Sequence, residues 1–448
     1  MNFTNISLNK KILVMIIMVL FFQFISATVF RYTTIPVWLT LLQGSFLYVV
    51  FLLILFWIIK NSSILNNHTG SQLLILLLYI IRGLIAIANE YYPVLPNLND
   101  VSYYHHIGTG FSRDLVIQGS GIGAAAFGNY LIGPIYLFLG ASPLFIALFN
   151  SFLFSLTVIV LVKIGNELNV KHSWVIPLLV FIIPSSYLYI PVLLRESIFL
   201  LCAVLFFNSL ITVFKRKSSK IYSHIILILL LLLCTLIRPQ VFPIFFAIYI
   251  FFRIYYFRSL AGFIPLLIVL GIGLILSVTY MPLFQYINSD LLNLYYFQNY
   301  RNAFSDLPSA YLVNIKYYNW VDFFSYLPIF VGYFLFSPFP WIHSNYNYFM
   351  ATADSLVSLL IIPCAVIAVI RRKNIWNVDI IPAIAAFFIY VIPFSIIEAY
   401  PMGAVRHRMI IILLALPVIA SLFSDQNKNK SILNSDGKLL TTTNHKKI

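Results

Sequence analysis

The sequence predicts an all-α, polytopic transmembrane protein with about 12 membrane spans. Of its 448 residues, 61% are hydrophobic and only 9% are charged, whereas soluble proteins carry about 25% charged residues. Apolar runs close to the length that crosses a bilayer recur along the chain. The 41 Phe and 29 Tyr are typical of a chain with many membrane interfaces.

The predicted spans are, in chain order, residues 12–30, 37–59, 72–89, 143–163, 174–192, 196–214, 222–238, 239–257, 260–280, 351–370, 378–397 and 409–423. The first run follows Lys10 and Lys11 and has no convincing small-residue cleavage site. We therefore expect a retained span rather than a signal peptide. Residues 1–423 form one predicted membrane domain, and the polar stretch 424–448 is predicted to be a disordered cytoplasmic tail.

The basic residues predict the orientation of these spans. With a cytoplasmic N-terminus, 19 of the 28 Lys and Arg fall in cytoplasmic segments, eight fall outside, and Arg82 lies within the third span. This is the positive-inside pattern, and an even number of spans places both termini in the cytoplasm. The net charge of +15 is distributed over short loops between apolar runs. It therefore does not indicate a nucleic-acid partner.

Two outer segments are long, residues 90–141 and 281–350. Each contains an apolar piece too short to span, at 130–139 and 323–336, which we expect to be an interfacial or re-entrant helix. The three cysteines, Cys202, Cys234 and Cys364, lie within apolar runs and indicate neither a disulfide framework nor a zinc site.

The first outer segment opens with a polar stretch, Asn97 to His106. Asp100 is a candidate catalytic carboxylate there, with Tyr103, Tyr104 and His105 as substrate-binding candidates. A solvated acidic loop is the alternative. The adjacent His105 and His106 cannot both point into one site from regular structure, so no metal is predicted.

Further ionisable residues map to the same predicted side, at the outer ends of spans: Arg195, Glu196, Arg238, Glu398, Arg406, His407 and Arg408. Such residues are costly beside a membrane and indicate function. The guanidinium fork matches phosphate oxygens, while a carboxylate can act as a general base. A local helix cap at Arg195-Glu196 and interfacial anchoring of the other arginines are the alternatives.

Arg406 and Arg408 are expected to precede the last span. In an extended loop they would share a side and could bind one phosphate or diphosphate. On a helix they would point to different faces.

The order of these features resembles the GT-C class of integral-membrane glycosyltransferases, especially bacterial relatives of the dolichyl-phosphate-mannose protein mannosyltransferases. The resemblance is carried by Asp100-Val101-Ser102-Tyr103-Tyr104-His105, Tyr130 to Tyr136, Gly140-Ala141-Ser142, Pro184 to Glu196, Pro338-Phe339-Pro340-Trp341 and Gly403 to Arg408. It covers residues 90–240 well and the remainder loosely.

The resemblance implies a bacterial cytoplasmic-membrane enzyme that transfers a sugar from a polyprenyl-phosphate-linked donor on the extracytoplasmic face. The acceptor would be a glycan or a lipid-linked molecule, and no cofactor is expected. Asp100 matches the catalytic acid of the outer loop and Glu196 the second acid. Arg195, Arg238, Arg406, His407 and Arg408 are then candidate substrate-binding residues. The acid pair often seen in the family is Asn99-Asp100 here, which leaves one carboxylate.

Two alternatives fit the same sequence. A Wzy-type O-antigen or capsule polymerase is also polytopic and depends on outer-loop arginines, but it would use a diphosphate-linked oligosaccharide. A lipid-linked oligosaccharide flippase or other transporter would favour charges at midplane depth and repeated halves. Arg82 alone lies at that depth, and no repeat is evident.

Overall fold

The computed structural model describes residues 21–30 (except 22 and 26), 36–65, 68–93, 95, 99–119, 123–215, 221–256, 294–303, 310–313, 315–339, 341, 346–372 and 380–423. Every regular element in these ranges is a helix. Most of the predicted first span, the predicted span 260–280 and the predicted tail 424–448 lie outside the described residues.

The helices are α1 Val37–Asn61, α2 Thr69–Tyr91, α3 Asn99–Asp114, α4 Ala124–Leu139, α5 Pro143–Glu167, α6 Val175–Phe181, α7 Ser185–Leu188, α8 Glu196–Lys215, α9 Ile221–Ile237, α10 Phe242–Tyr256, α11 Leu294–Asn302, α12 Trp320–Phe336, α13 Tyr346–Arg372, α14 Ile380–Ile397 and α15 Pro401–Ala420. Single 3₁₀ turns occupy Pro239–Val241 and Ser421–Phe423.

Among the described residues, seven helical stretches are long and apolar enough to cross a membrane: Val37–Asn61, Thr69–Tyr91, Pro143–Glu167, Glu196–Phe214, Pro239–Tyr256, Ala351–Arg371 and Pro401–Phe423. Four apolar helices are shorter, and they include α9 and α14, which coincide with predicted spans. The helical membrane architecture agrees with the sequence, while the total of twelve spans stays a prediction.

Helix α5 is the central helix of the bundle. In its most apolar window 83% of the residues are buried, against 28% for α13, and it packs against α1, α2, α8 and α15. A helix that is apolar on all sides either lies inside the protein or faces lipid, and the burial of α5 shows that it lies inside. Two of the elements that carry candidate site residues, α8 and α15, pack directly against it.

The predicted span 174–192 is not one helix, and that prediction was wrong. Two short helices, α6 and α7, replace it, and irregular backbone continues to Arg195. Pro184 separates the two helices because proline has no backbone N–H and disfavours a helical conformation in the preceding residue. Pro191 interrupts the chain again seven residues later.

Side chains from other helices satisfy the backbone of this interrupted segment. Arg82 Nε donates to Ser186 O at 3.0 Å, and Asn150 Nδ2 donates to Val192 O at 2.7 Å and to Leu194 O at 2.8 Å. Non-helical backbone at membrane depth is tolerated where protein groups replace the missing hydrogen bonds. Arg82, which the sequence places at depth in a span, therefore has a structural partner.

Helix α3 occupies the stretch that we expected to be a polar loop. Tyr104 and Ile107 are buried on one face of it and pack toward α4, whose residues Phe127–Ile132 form a π-helical stretch. A Cβ atom at Gly128 would overlap the Ile107 side chain, so glycine permits the close approach of the two helices. The predicted interfacial pieces are both helical, as α4 and α12, and their position at the membrane surface stays a prediction.

The last helix begins at Pro401, not at residue 409 as predicted. Proline is well suited to the first helical turn because it lacks the N–H that would have no partner there. Arg406, His407 and Arg408 are consequently helical rather than part of a preceding loop.

Candidate functional site

Six ionisable side chains form a continuous chain of contacts at one end of the helices. They come from the first turn of α3, the first residue of α8, the residue after α9, the connection between α14 and α15, and the second turn of α15. In order of contact they are Asp100, Arg406, Glu196, Arg238, His407 and Glu398.

Asp100 and Arg406 form the accessible end of this charge chain. Arg406 Nη1 donates to Asp100 Oδ2 at 2.7 Å, and the same nitrogen lies 3.6 Å from Glu196 Oε1. The Asp100 side chain is 43% exposed and that of Arg406 is 21% exposed. A ligand from outside the protein can therefore reach both groups.

The next pair, Glu196 and Arg238, is buried. Arg238 Nη2 donates to Glu196 Oε1 at 2.6 Å, and both side chains are 2% exposed. Arg238 also lies over the Phe199 ring, with its guanidinium carbon 4.8 Å from the ring centroid. As the first residue of α8, Glu196 also lies at the positive end of the helix dipole. These contacts offset part of the cost of removing two charges from water.

The contacts of His407 define its tautomer. Arg238 Nη1 lies 2.7 Å from His407 Nδ1, and a guanidinium has only donors, so Nδ1 is the acceptor. The proton of the neutral imidazole is then on Nε2, which lies 3.4 Å from Glu398 Oε2. His407 therefore accepts from Arg238 at Nδ1, and its Nε2 lies next to the Glu398 carboxylate.

Glu398 is largely buried, with 13% of its side chain exposed, in the connection between α14 and α15. Burial raises the pKa of its carboxyl to about 7, although the charges of Arg406, Arg238 and Arg301 act in the opposite direction. Position 403 has to be glycine for this arrangement, because a Cβ atom there would overlap the Glu398 carboxylate. The sequence placed Glu398 at an outer helix end but did not include it in the site. The signal that identifies it is an isolated acid directly after a long apolar run.

Arg195 lies beside this chain. It is half-buried, and its Nη1 donates to Ile237 O at 2.8 Å, which caps the last turn of α9. Among the described residues, its Nη2 and Nε have no hydrogen-bond partner. Tyr104 is close to the charges of Arg195, Glu196, Asp100 and Arg406, and burial raises its pKa to about 12.

The other two candidates on α3 lie apart from the charge chain. Tyr103 is 48% exposed and its ring contacts that of Tyr104 edge-on. His105 is half-buried, and its Nδ1 is 2.9 Å from the Tyr136 hydroxyl of α4. Burial, together with the charges of Arg113 and His106, lowers the pKa of His105. The position of His105 therefore indicates that it joins α3 to α4.

Arg408 is not brought to this site. It is fully buried on a different face of α15, and it donates to the carbonyls of Phe334, Leu335 and Ser337 and to the side chains of Asp354 and Ser355. We expected Arg406 and Arg408 to bind one phosphate together, which requires an extended loop. Because the stretch is helical, their side chains diverge.

The site has the parts needed for chemistry on an anionic substrate. It offers an accessible carboxylate, an adjacent guanidinium and a half-buried second guanidinium. Within the described ranges, no group of three or more His, Cys, Asp or Glu is placed to hold a metal ion. No protein-family model matches the chain, and neither a curated protein nor a solved structure is significantly similar to it.

Proposed function

We propose that the protein is a membrane glycosyltransferase of cell-surface polysaccharide assembly. It transfers a sugar from a polyprenyl-phosphate-linked donor on the extracytoplasmic face of a bacterial cytoplasmic membrane. The observation that carries this proposal is the accessible Asp100–Arg406 pair at the end of a buried charge chain. Asp100 can act as the base, and Arg406, which contacts it directly, can bind the donor phosphate. Both residues belong to a protein whose helices are long enough to cross a bilayer.

In the proposed reaction, an acceptor hydroxyl attacks the anomeric carbon of the donor sugar. The bond between that carbon and the phosphate oxygen breaks, and the phosphate leaves with its lipid. Asp100 accepts the hydroxyl proton, and Arg406 stabilises the negative charge that develops on the phosphate. A phosphate bound to Arg406 competes with Asp100 for the guanidinium. Donor binding therefore leaves the carboxylate free to act as the base.

Glu196 has a more limited role here than the second catalytic acid that the resemblance implies. Its side chain is almost fully buried, and it contacts both Arg406 and Arg238. An acid in that position does not meet the acceptor. It orients Arg406 toward Asp100 and compensates the charge of Arg238.

A repeat-unit polymerase of the Wzy type is the second candidate, and Arg195 is the observation that favours it. Arg195 lies close to the same group of charges as Arg406, since both arginines act on Tyr104. Two neighbouring guanidinium groups would suit a diphosphate, whereas one suits a monophosphate.

Deletion of the gene in its host distinguishes these functions. Surface polysaccharide is separated by length on a gel, where it gives a ladder of bands, and the mass of the glycan is measured by mass spectrometry. A full ladder whose glycan lacks one sugar supports the glycosyltransferase. Loss of the ladder with a single repeat unit left on the lipid supports the polymerase. An unchanged glycan contradicts both and favours a transporter.

Asp100→Asn in the complemented deletion strain tests the site itself. Loss of a general base lowers the rate by about 100-fold or more, so the glycan phenotype of the deletion is expected to persist at normal protein abundance. Asp114→Asn is the matched control, because Asp114 is an exposed acid at the other end of α3. Full complementation by Asp100→Asn at normal abundance removes Asp100 from the mechanism.

A further inference from the structure

We propose that Glu398 is a positioning residue of this site: it orients His407 and, when ionised, weakens the binding of an anionic donor by Arg406. This inference rests on the proposed function, because it concerns the same donor phosphate. It adds a third carboxylate to the site and makes donor binding dependent on pH.

The first step is the orientation of His407. Arg238 requires a bare Nδ1 on the imidazole, and the remaining N–H on Nε2 faces Glu398 Oε2. An oxygen acceptor at position 398 favours this tautomer over the one that carries a proton on Nδ1. If that acceptor is removed, the ring can turn, and Arg238 loses its contact with His407.

The second step is the placement of Glu398 itself. The Tyr400 backbone N–H lies 3.4 Å from Glu398 Oε1, and Gly403 leaves room for the carboxylate. Arg301 holds the backbone at this point by donating to the carbonyls of Ile396 and Glu398. The connection between α14 and α15 is therefore fixed from two sides, and the carboxylate is directed at His407.

The third step is the sign of the electrostatic effect. The groups that face Glu398 are His407, Arg406, Arg238, Arg301 and Tyr311. Because burial raises the pKa of Glu398 to about 7, its carboxyl is largely neutral below that pH and largely ionised above it. Ionisation adds a negative charge close to Arg406, the arginine that would bind the donor phosphate. Donor affinity is therefore expected to fall as the pH rises through 7.

The coupling between Glu398 and Asp100 is electrostatic and not a proton relay. Arg238 and Arg406 stand between the two acids in the chain of contacts. A guanidinium stays protonated under these conditions and cannot pass a proton on. Ionisation of Glu398 consequently changes the affinity for the donor. Asp100 takes its proton from the acceptor hydroxyl and not from Glu398.

The test measures the binding of a short-chain polyprenyl phosphodiester to the full chain in nanodiscs. A phosphodiester keeps one negative charge across the range from about pH 5.5 to 8.5, so any titration belongs to the protein. Wild-type affinity is expected to fall by roughly tenfold over this range. Glu398→Gln retains an acceptor oxygen for His407 but carries no charge. We expect its affinity to stay at the low-pH value throughout.

Asp322→Asn is the control, because Asp322 is a carboxylate at the start of α12 with its own local partner, the Tyr318 backbone N–H, which donates to Asp322 Oδ2 at 3.2 Å. This variant should keep the wild-type pH dependence. An unchanged pH dependence in folded Glu398→Gln overturns the inference and leaves the proposed function intact. Wild-type protein that does not bind the phosphodiester at any pH contradicts the proposed donor class, and the inference fails with it.

Glu398→Asp gives a second test if Glu398→Gln does not fold. It keeps the charge but withdraws the carboxylate from His407 Nε2. We expect pH-dependent binding that is weaker than that of the wild-type protein at every pH. Affinity equal to that of the wild-type protein across the range would contradict a positioning role for Glu398.

Discussion

At the scale of single residues, five arginines of the bundle separate into two groups by the atoms they contact. Arg82, Arg301 and Arg408 donate largely to backbone carbonyls, where they replace hydrogen bonds that broken helices and helix ends have lost. Arg238 and Arg406 donate to side-chain carboxylates instead. Arg406, the accessible member of the second group, can exchange its partner for a phosphate without disturbing backbone hydrogen bonds.

Arg408→Ala is expected to destabilise the protein strongly. It leaves Asp354, which is as fully buried as Arg408, without its charged partner. Removal of one member of a buried ion pair costs about 3–5 kcal/mol, which should appear as a large fall in the thermal midpoint in detergent. Arg406→Ala, two residues away, should cost less stability because its side chain is accessible, yet it should abolish complementation. Similar midpoints for the two variants would contradict this division.

Most of the residues in the charge chain can be chosen from the sequence, but their contacts cannot. Asp100, Glu196, Arg238 and Arg406 stand out as costly charges that share one predicted side of the membrane. The same criterion also selects Arg408, because a sequence does not show where α15 begins. Glu398 is missed as a site residue because only its contact with His407 assigns it to the site, and that contact is seen only in the tertiary structure.

At the scale of elements, hydropathy finds the long helices well and fails at the interrupted segment. Val37–Asn61, Thr69–Tyr91 and Pro143–Glu167 lie within a few residues of predicted spans. The run 174–192 is also apolar on average, and an average over its length hides the break at Pro184. Whether such a break is stable depends on donors from other helices, such as Arg82 and Asn150.

Asn150→Leu tests this account of the interrupted segment. The substitution leaves the Leu194 carbonyl buried without its donor, while the Val192 carbonyl keeps only the Leu194 backbone N–H. Each buried polar group left without a partner costs about 1–3 kcal/mol, so the thermal midpoint should fall clearly. Ser151→Ala is the matched control, because Ser151 is buried one residue further along α5 and bonds only within its own helix. Equal midpoints for the two variants would mean that Asn150 does not support the segment.

Helix α3 was predicted as a loop because its composition is polar and it lacks a long apolar run. It is a helix because Tyr104 and Ile107, three residues apart, are buried on the side that faces α4. Tertiary packing therefore outweighs the local signal. The consequence for the site is that Asp100 is held in the first turn of a helix, where its position relative to Arg406 is fixed.

At the scale of the whole molecule, the charge chain and the end of α1 lie at opposite ends of the bundle. Asn150, near the start of α5, contacts the chain just before Arg195, whereas Asn166, near the end of α5, donates to Ile64 O beyond α1. The basic residues of the sequence predict that the site end is extracytoplasmic. The number and length of apolar helices support a membrane protein but leave its orientation as a prediction.

Cysteine labelling in intact cells tests that orientation. Ser102→Cys places a thiol on the exposed face of α3, two residues from Asp100, and Asn61→Cys places one at the exposed end of α1. If the site faces outward, a membrane-impermeant maleimide should modify Ser102→Cys in intact cells. Asn61→Cys should react only after the cells are opened.

The parent chain is the control for this experiment, since its own cysteines are Cys202 and Cys234, which are buried, and Cys364 on α13. Its labelling sets the background for both variants. The reverse pattern would place the charge chain in the cytoplasm, where the proposed lipid-linked donor of an extracytoplasmic transferase is not presented. Labelling of Ser102→Cys from outside would instead agree with the orientation that the basic residues predict. The basic loops would then lie in the cytoplasm, and the donor would bind on the outer face.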